Sequence, residues 1–164
     1  MKPDVWNIIR ITEGREKRIC DLLNTMGYTT FVPMRQVTRN QKTLTLPVWR
    51  GVVWTQAPYA VTTQLHNTYR ETIGIHHIKT PDGQPVTIDN ELFAAFRLLA
   101  EHPKARFLTN EQAGHLCNGK PAVPTIGRHI VQLAGEPHQI VWLRGMCAVV
   151  VPVETDINTQ KYTL

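Results

Sequence analysis

Hydrophobic residues follow two different periods along the first part of the chain. Val5 to Ile11 is apolar on both faces, which is typical of a central strand. From Arg15 onward the apolar residues recur at helical spacing, and Gly27 follows where glycine commonly ends a helix. The residues of this helical stripe are Ile19, Leu22, Leu23 and Met26. The pattern therefore predicts a strand followed by an amphipathic helix.

A second group of predicted strands surrounds a segment rich in valine and tryptophan. Thr29 to Gln36 predicts a strand, and Leu46 to Thr55 predicts another that bends at Gly51. Between them, the polar residues from Arg39 to Lys42 predict the tip of a basic hairpin that begins at Arg35. A contact role and simple solubility explain a basic tip equally well.

Two more helices, with a strand between them, are predicted between Tyr59 and Pro103. Tyr59 to Thr68 predicts a short polar helix, and Ile73 to Lys79 predicts a further strand. After a turn at residues 81–85, Thr87 is expected to cap a last helix that Pro103 stops. The apolar side of that helix holds Leu92, Phe93, Phe96 and Leu99. The element order predicts an α+β fold with helices on a mostly antiparallel sheet.

Proline and glycine then divide the chain. We predict an N-terminal domain over residues 1–102, a linker over 103–125, and a small β-barrel over 126–164. Within the linker, Thr109 and Gln112 have the spacing of a capping box. The C-terminal runs are rich in valine and contain two prolines, which disfavours helix there.

Charge adds a candidate partner to this picture. The chain has 164 residues and a net charge of +5, a length that fits one ordinary domain or two small ones. The excess lies entirely in residues 1–60, where nine lysines and arginines outnumber four acidic residues. Such a basic half suggests a polyanion, most simply nucleic acid, although a solvated basic face without a partner fits the charge equally well.

Other function classes find little support in the sequence. No apolar run reaches the ~20 residues that cross a bilayer, and no secretory signal opens the chain, so we expect a cytoplasmic protein. Cys20, Cys117 and Cys147 are scattered, which favours reduced thiols over disulfides or zinc. His76 and His77 point to opposite faces of a strand, and no catalytic motif appears. We therefore expect no enzyme, no metal and no cofactor.

Several short motifs follow one another in a characteristic order. Trp6 leads the first strand, Gly14 precedes the basic helix, and Phe31–Pro33 ends in a proline. The central segment is Pro47-Val48-Trp49-Arg50-Gly51-Val52-Val53-Trp54, and Gly74-Ile75 and Pro85-Val86-Thr87-Ile88 come after it. In order and spacing, these residues resemble the N-terminal (NGN) domain of the NusG family of bacterial transcription factors.

The resemblance implies a transcription elongation or antitermination factor. It implies an N-terminal domain that binds the clamp helices of bacterial RNA polymerase and contacts the non-template DNA strand. The polymerase contacts that it implies are Trp49, Val52, Trp54, Ile78 and Ile88, with Thr62 and Thr63 toward the opposite lobe of the enzyme. The nucleic-acid contacts that it implies are Arg15, Arg18, Asn67 and Arg70. Core packing is the competing role of the apolar residues, and the tryptophans are interface anchors only if exposed.

Departures from the family pattern qualify what the resemblance implies. Arg50 replaces a proline of the central segment and Val52 replaces a tyrosine, which resembles specialised paralogues of the RfaH kind or those carried by phages or plasmids. The stretch Val131–Pro137 loosely resembles the family's KOW domain, an SH3-like barrel that implies Rho or a small-subunit ribosomal protein as partner. The alternative function is an RNA- or ribosome-binding KOW-type module without a polymerase role.

Overall fold

Strands outnumber helices in the computed structural model of the chain, which describes residues 5–71, 74–77, 79, 82–109, 112, 130–144 and 147–153. Contacts divide the chain into an N-terminal unit, Met1–Asn90, and a C-terminal unit, Glu91–Leu164. The break between the units follows Asn90, the first residue of the helix Asn90–Ala100. No helix within these ranges is long and apolar enough to cross a membrane.

The N-terminal unit is built on an antiparallel sheet around strand β1 (Val5–Arg10). On one side, β1 pairs with β5 (Val52–Thr55), which in turn pairs with β2 (Thr30–Phe31). On the other side it pairs with β6 (His76–His77) and with β7 (Thr87–Asp89). The four middle residues of β1 are buried, as expected for a strand that is apolar on both faces.

Two helices, α1 (Glu16–Thr25) and α2 (Tyr59–Tyr69), supply side chains to the core of this unit. The buried cluster consists of Ile9, Ile11, Ile19, Leu23, Val53, Ala57, Leu65 and Ile75. Helix α1 ends as predicted at Gly27, whose φ of +89° suits a residue without a side chain. Its N–H donates to the Asn24 carbonyl and that of Tyr28 donates to the Leu23 carbonyl, a Schellman cap.

The predicted basic hairpin is confirmed as a two-stranded sheet of its own. Strand β3 (Met34–Arg39) pairs with β4 (Lys42–Pro47) through six residue pairs. Asn40 and Gln41 form the turn with φ values of 48° and 63°, the left-handed region that tight hairpins need. At the base of the hairpin the Val48 N–H donates to the Pro33 carbonyl.

The C-terminal unit combines a helix with an antiparallel sheet. Helix α3 (Asn90–Ala100) is followed by strands β8 (Arg106–Thr109), β9 (Ile130–Leu133), β10 (Glu136–Arg144) and β11 (Cys147–Pro152). The strand order is β8-β11-β10-β9, and a bulge interrupts the β10–β11 register between Ile140 and Trp142. The described strands form an open four-stranded sheet.

Both faces of this sheet are covered at its centre. Residues Ala148 to Val151 of β11 are fully buried, although neighbouring side chains on a strand point in opposite directions. On one face, Ile140 and Val150 cluster with Leu108. On the other face, the ring of Trp142 lies 4.7 Å from that of Phe96 on α3. The apolar stripe predicted for α3 therefore packs on the sheet.

Three local expectations differ from the structure. Thr87 does not cap α3, since it lies in β7 opposite Asn7 and the helix begins three residues later. The strand predicted over residues 29–36 is split into β2 and β3 at Pro33, because proline cannot donate to a strand ladder. The stretch predicted as a linker supplies β8, which pairs with β11.

Polar side chains are hydrogen-bonded at the first residue of α3 and just after β8. Both the indole of Trp6 and the amide of Gln56 donate to the Asn90 Oδ1 atom, each at 3.0 Å. Thr109 and Gln112 exchange two hydrogen bonds of 2.9 and 3.1 Å, and so the predicted capping box is confirmed.

Candidate nucleic-acid interface and the tryptophan turn

An open groove of about 660 Å³ lies beside helices α1 and α2. Apolar side chains of Leu22, Leu65 and Tyr69 line it, and these residues are buried or half-buried. The exposed lining side chains include Arg15 and Arg18, two of the residues that the family resemblance implies for nucleic acid. The structure therefore brings an apolar surface and a basic edge together in one place.

The charge of the groove comes from its two arginines. The Arg18 guanidinium lies 6.0 Å from the centre of the Tyr69 ring, within cation–π distance. Lys17 also lines the groove, but it pairs with Asp21, and this hydrogen bond and ion pair raise the pKa of Lys17. Neither Arg15 nor Arg18 forms an ion pair with any residue that the structure describes. Their charges are therefore available to an anionic ligand.

The other two implied nucleic-acid residues lie outside this groove. Asn67 on α2 and Arg70 just after it are both exposed, and neither lines the groove. The sequence analysis did not identify Tyr69, whose aromatic ring lines the groove. Its position could have been inferred, because Leu65 and Tyr69 are four residues apart and so share one face of α2.

The expectation of exposed tryptophan anchors is wrong. Trp49 keeps 6% of its surface exposed and Trp54 keeps 0%. Trp54 is held in the middle of the sheet, because β5 pairs on one edge with β1 and on the other with β2. Both indoles therefore belong to the core of the chain, and their replacement is expected to destabilise it.

Most of the other implied polymerase contacts are buried as well. Val52 and Ile88 lie in strands of the sheet, and Thr62 is fully buried with its hydroxyl donating to carbonyls of its own helix turn. Thr63 is half-buried, and its Oγ1 atom is enclosed without a hydrogen-bond partner among the described residues. Ile78 lies outside the described residues.

The turn between β4 and β5 is fixed by a buried acid. The Gly51 N–H donates to the Glu16 carboxylate at 2.7 Å, and the Gly51 carbonyl accepts from the Ile11 N–H at 2.8 Å. A Cβ atom on Gly51 would lie 2.6 Å from the Ile11 carbonyl oxygen, and its φ is +71°, so only glycine fits. This turn leaves Arg50 in solvent between buried neighbours. Sequence reasoning did not foresee the role of Glu16, which has no local signal.

Comparison with known proteins agrees with this fold. A family model described as "Transcription termination factor nusG" matches residues 4–97. The match begins just before β1 and ends within α3, so it includes every element of the N-terminal unit. No curated protein matches the chain.

Proposed function

The chain belongs to the NusG family, and from this premise we propose that it is a transcription elongation or antitermination factor. In this proposal the N-terminal unit binds the clamp helices of bacterial RNA polymerase and contacts the non-template DNA strand, which places the protein in the cytoplasm. The observation that carries the proposal is the family match over residues 4–97, which covers more than half of the chain.

The groove beside α1 and α2 supports the contact with a single DNA strand. Single-strand binding sites combine cations that neutralise phosphates with aromatic rings on which bases stack. Arg15 and Arg18 supply unpaired charge, and Tyr69 supplies a ring next to the Arg18 guanidinium. Base stacking on such a ring contributes about 1–3 kcal/mol. Asn67 and Arg70 extend the proposed path of the strand along the end of α2.

The buried tryptophans change where the polymerase contact is placed. Within the segment Pro47–Trp54, Arg50 is the exposed residue, and Trp49 and Gly51 on either side of it are buried. We therefore assign the polymerase contact to the exposed turn at Arg50. In this proposal the buried tryptophans on either side of the turn fix its conformation. Arg50 stands where the family pattern has a proline. An arginine side chain can form ion pairs with carboxylates on a protein partner, which a proline side chain cannot do.

The C-terminal sheet supports a finer proposal about the second domain. We propose that β8 to β11 are strands of an SH3-like barrel of the KOW type. The bulge near Val141 supports this, because bulges bend strands as barrel closure requires. Such a barrel would supply the surface for Rho or a small-subunit ribosomal protein that the family resemblance implies.

Binding to polymerase is the test that separates the proposed function from its alternative. The full chain is mixed with core RNA polymerase in an assembled elongation complex, and co-elution is followed by size-exclusion chromatography. We expect co-elution that Arg50→Glu weakens, with Lys104→Glu as the control of equal charge change at an exposed site in the other unit. A chain that binds RNA or ribosomes but never co-elutes with polymerase would establish the alternative module instead.

The groove has its own prediction. Arg15→Ala combined with Arg18→Ala should lower the salt dependence of single-stranded DNA binding, because each lost phosphate contact changes the log–log slope by about 0.7. Fluorescence anisotropy across a salt series measures this slope. Lys104→Ala combined with Arg106→Ala is the matched control, since it removes two exposed cations of the other unit. An unchanged slope in the double variant would remove α1 from the contact surface.

A further inference from the structure

The β3–β4 hairpin stands apart from both sheets of the molecule. Its two strands pair only with each other among the described strands, and eleven of its fourteen residues from Met34 to Pro47 are exposed. An isolated two-stranded hairpin is marginally stable in water, because it has no third strand or helix to cover a face. Most of the hairpin surface is therefore open to solvent.

The two faces of the hairpin differ in chemistry. The register pairs Gln36 with Thr45 and Thr38 with Thr43, so one face carries four exposed, uncharged side chains that form hydrogen bonds. The opposite face holds Arg39 and Lys42 beside the turn, the apolar pair of Val37 and Leu44 in the middle, and Arg35 opposite Leu46 near the base. Neighbouring residues on a strand alternate between faces, which keeps the two sets apart.

The charge of the hairpin is uncompensated. None of Arg35, Arg39 and Lys42 forms an ion pair with a described residue. The sequence has no acidic residue between Asp21 and Glu71, so no carboxylate near them in sequence offsets their charge. A row of exposed cations without counter-charges fits a polyanion.

From these observations we propose that the β3–β4 hairpin is a DNA-binding ribbon that enters the major groove of a duplex. The major groove of B-DNA is about 12 Å wide and admits a two-stranded ribbon. Six residues per strand at about 3.3 Å each give a ribbon roughly 20 Å long, enough to follow the groove floor. Gln36, Thr38, Thr43 and Thr45 then face the base edges, where threonine and glutamine side chains form hydrogen bonds.

The cations complete the site by holding the ribbon in place. Arg39 and Lys42 flank the turn and Arg35 lies near the base, all on the face that points away from the groove floor. In the proposal their long side chains extend sideways to the phosphates that line the groove. Duplex RNA is a poor match, because its major groove is deep and too narrow for side chains to read. The ribbon is separate from the groove that we assign to single-stranded DNA, and it does not depend on polymerase binding.

Binding to DNA alone tests this proposal. The full chain is titrated onto a labelled duplex of two helical turns between about 50 and about 200 mM salt, the range over which phosphate contacts dominate affinity. The test variant carries Arg35→Gln, Arg39→Gln and Lys42→Gln. We expect its log–log salt slope to be shallower by about 2.7, from three phosphate contacts at ~0.9 each. The control variant carries Arg97→Gln, Lys104→Gln and Arg106→Gln, three exposed cations of the other unit, and should keep the wild-type slope.

Each outcome decides the proposal. Circular dichroism confirms that both triple variants are folded, which their exposed positions favour. Loss of the duplex-DNA slope in the ribbon variant alone, with the slopes for duplex RNA and for the single strand left unchanged by that variant, supports the ribbon. An equal loss in both variants, an unchanged duplex-DNA slope in the ribbon variant, or an equal loss of slope on duplex RNA or on the single strand would overturn it.

Discussion

Two strand pairs with the same antiparallel geometry have opposite environments in this chain. The pair β3–β4 is mostly exposed and carries three cations, whereas the middle of β10–β11 is buried on both faces and carries none. Backbone pairing is satisfied in both. Pairing therefore does not distinguish a strand that builds the fold from a strand that meets a partner.

Burial and charge together make that distinction. In β11, Ala148 to Val151 lose all contact with water, and the hydrophobic effect stabilises the sheet by about 25 cal/mol per Å² of apolar surface. In β3–β4, the side chains that alternate with the cations are threonine and glutamine, which gain little from burial. The first pair contributes stability, and we assign the second pair to binding.

The largest expected effect tests the buried pair. Trp142→Ala should lower the free energy of unfolding by about 3–5 kcal/mol, because it empties the space against Phe96. Thr38→Ala on the exposed ribbon should change it by no more than about 0.5 kcal/mol. Urea denaturation followed by fluorescence or circular dichroism measures both. Equal effects from the two substitutions would remove the contrast between the strand pairs.

A smaller change in stability is expected from substitutions in the turns of two hairpins. Gln41 adopts a φ of 63° and Gly135, in the turn between β9 and β10, adopts 78°, a conformation that costs most residues about 1–2 kcal/mol. Gln41→Gly should therefore stabilise the ribbon by about 1 kcal/mol, and Gly135→Gln should destabilise the sheet by a similar amount. Thermal unfolding of both variants reports the sign of each change. The strain argument fails if the two substitutions shift the midpoint in the same direction.

The smallest expected effect concerns the half-buried thiol of Cys20, which serves as a chemical probe. Burial raises the pKa of Cys20, which packs against the core of the N-terminal unit. The folded chain therefore favours the neutral thiol, and this stabilisation is present below the unfolded-state pKa and is lost as pH rises through the folded-state pKa. Alkylation of Cys20, followed by peptide mass spectrometry, should be slower in the native chain than in urea. Equal rates in the two states would show that the thiol is accessible.

Periodicity and turn chemistry predicted much of the N-terminal unit. The end of α1 at Gly27 and the basic hairpin depend on local sequence, and both are confirmed. Of the stripe predicted for α1, Ile19 and Leu23 are buried and Leu22 is half-buried, whereas Met26 is exposed. The strand Arg106–Thr109 was missed, because its pairing with β11 joins residues some forty positions apart. A local pattern rich in glycine and proline next to it favoured a linker.

The candidate sites were harder to predict because exposure is a tertiary property. Trp54 and Tyr69 are both aromatic, yet one is fully buried between two strands and the other lines the open groove. The buried carboxylate of Glu16 holds the Gly51 turn from a position thirty-five residues away. Its neighbours in sequence, Arg15 and Lys17, are basic and exposed, so nothing local to Glu16 indicates this role.

Hydrogen–deuterium exchange on a complete elongation complex tests the contrast between the two strand pairs most directly. The full chain is compared free and bound to polymerase assembled on a DNA scaffold that includes upstream and downstream duplex. Slower exchange in the complex over residues 34–47, with unchanged exchange over residues 147–152, is the result that we predict. A complex that forms while exchange over residues 34–47 stays the same as in the free chain would contradict the assignment of the ribbon to binding.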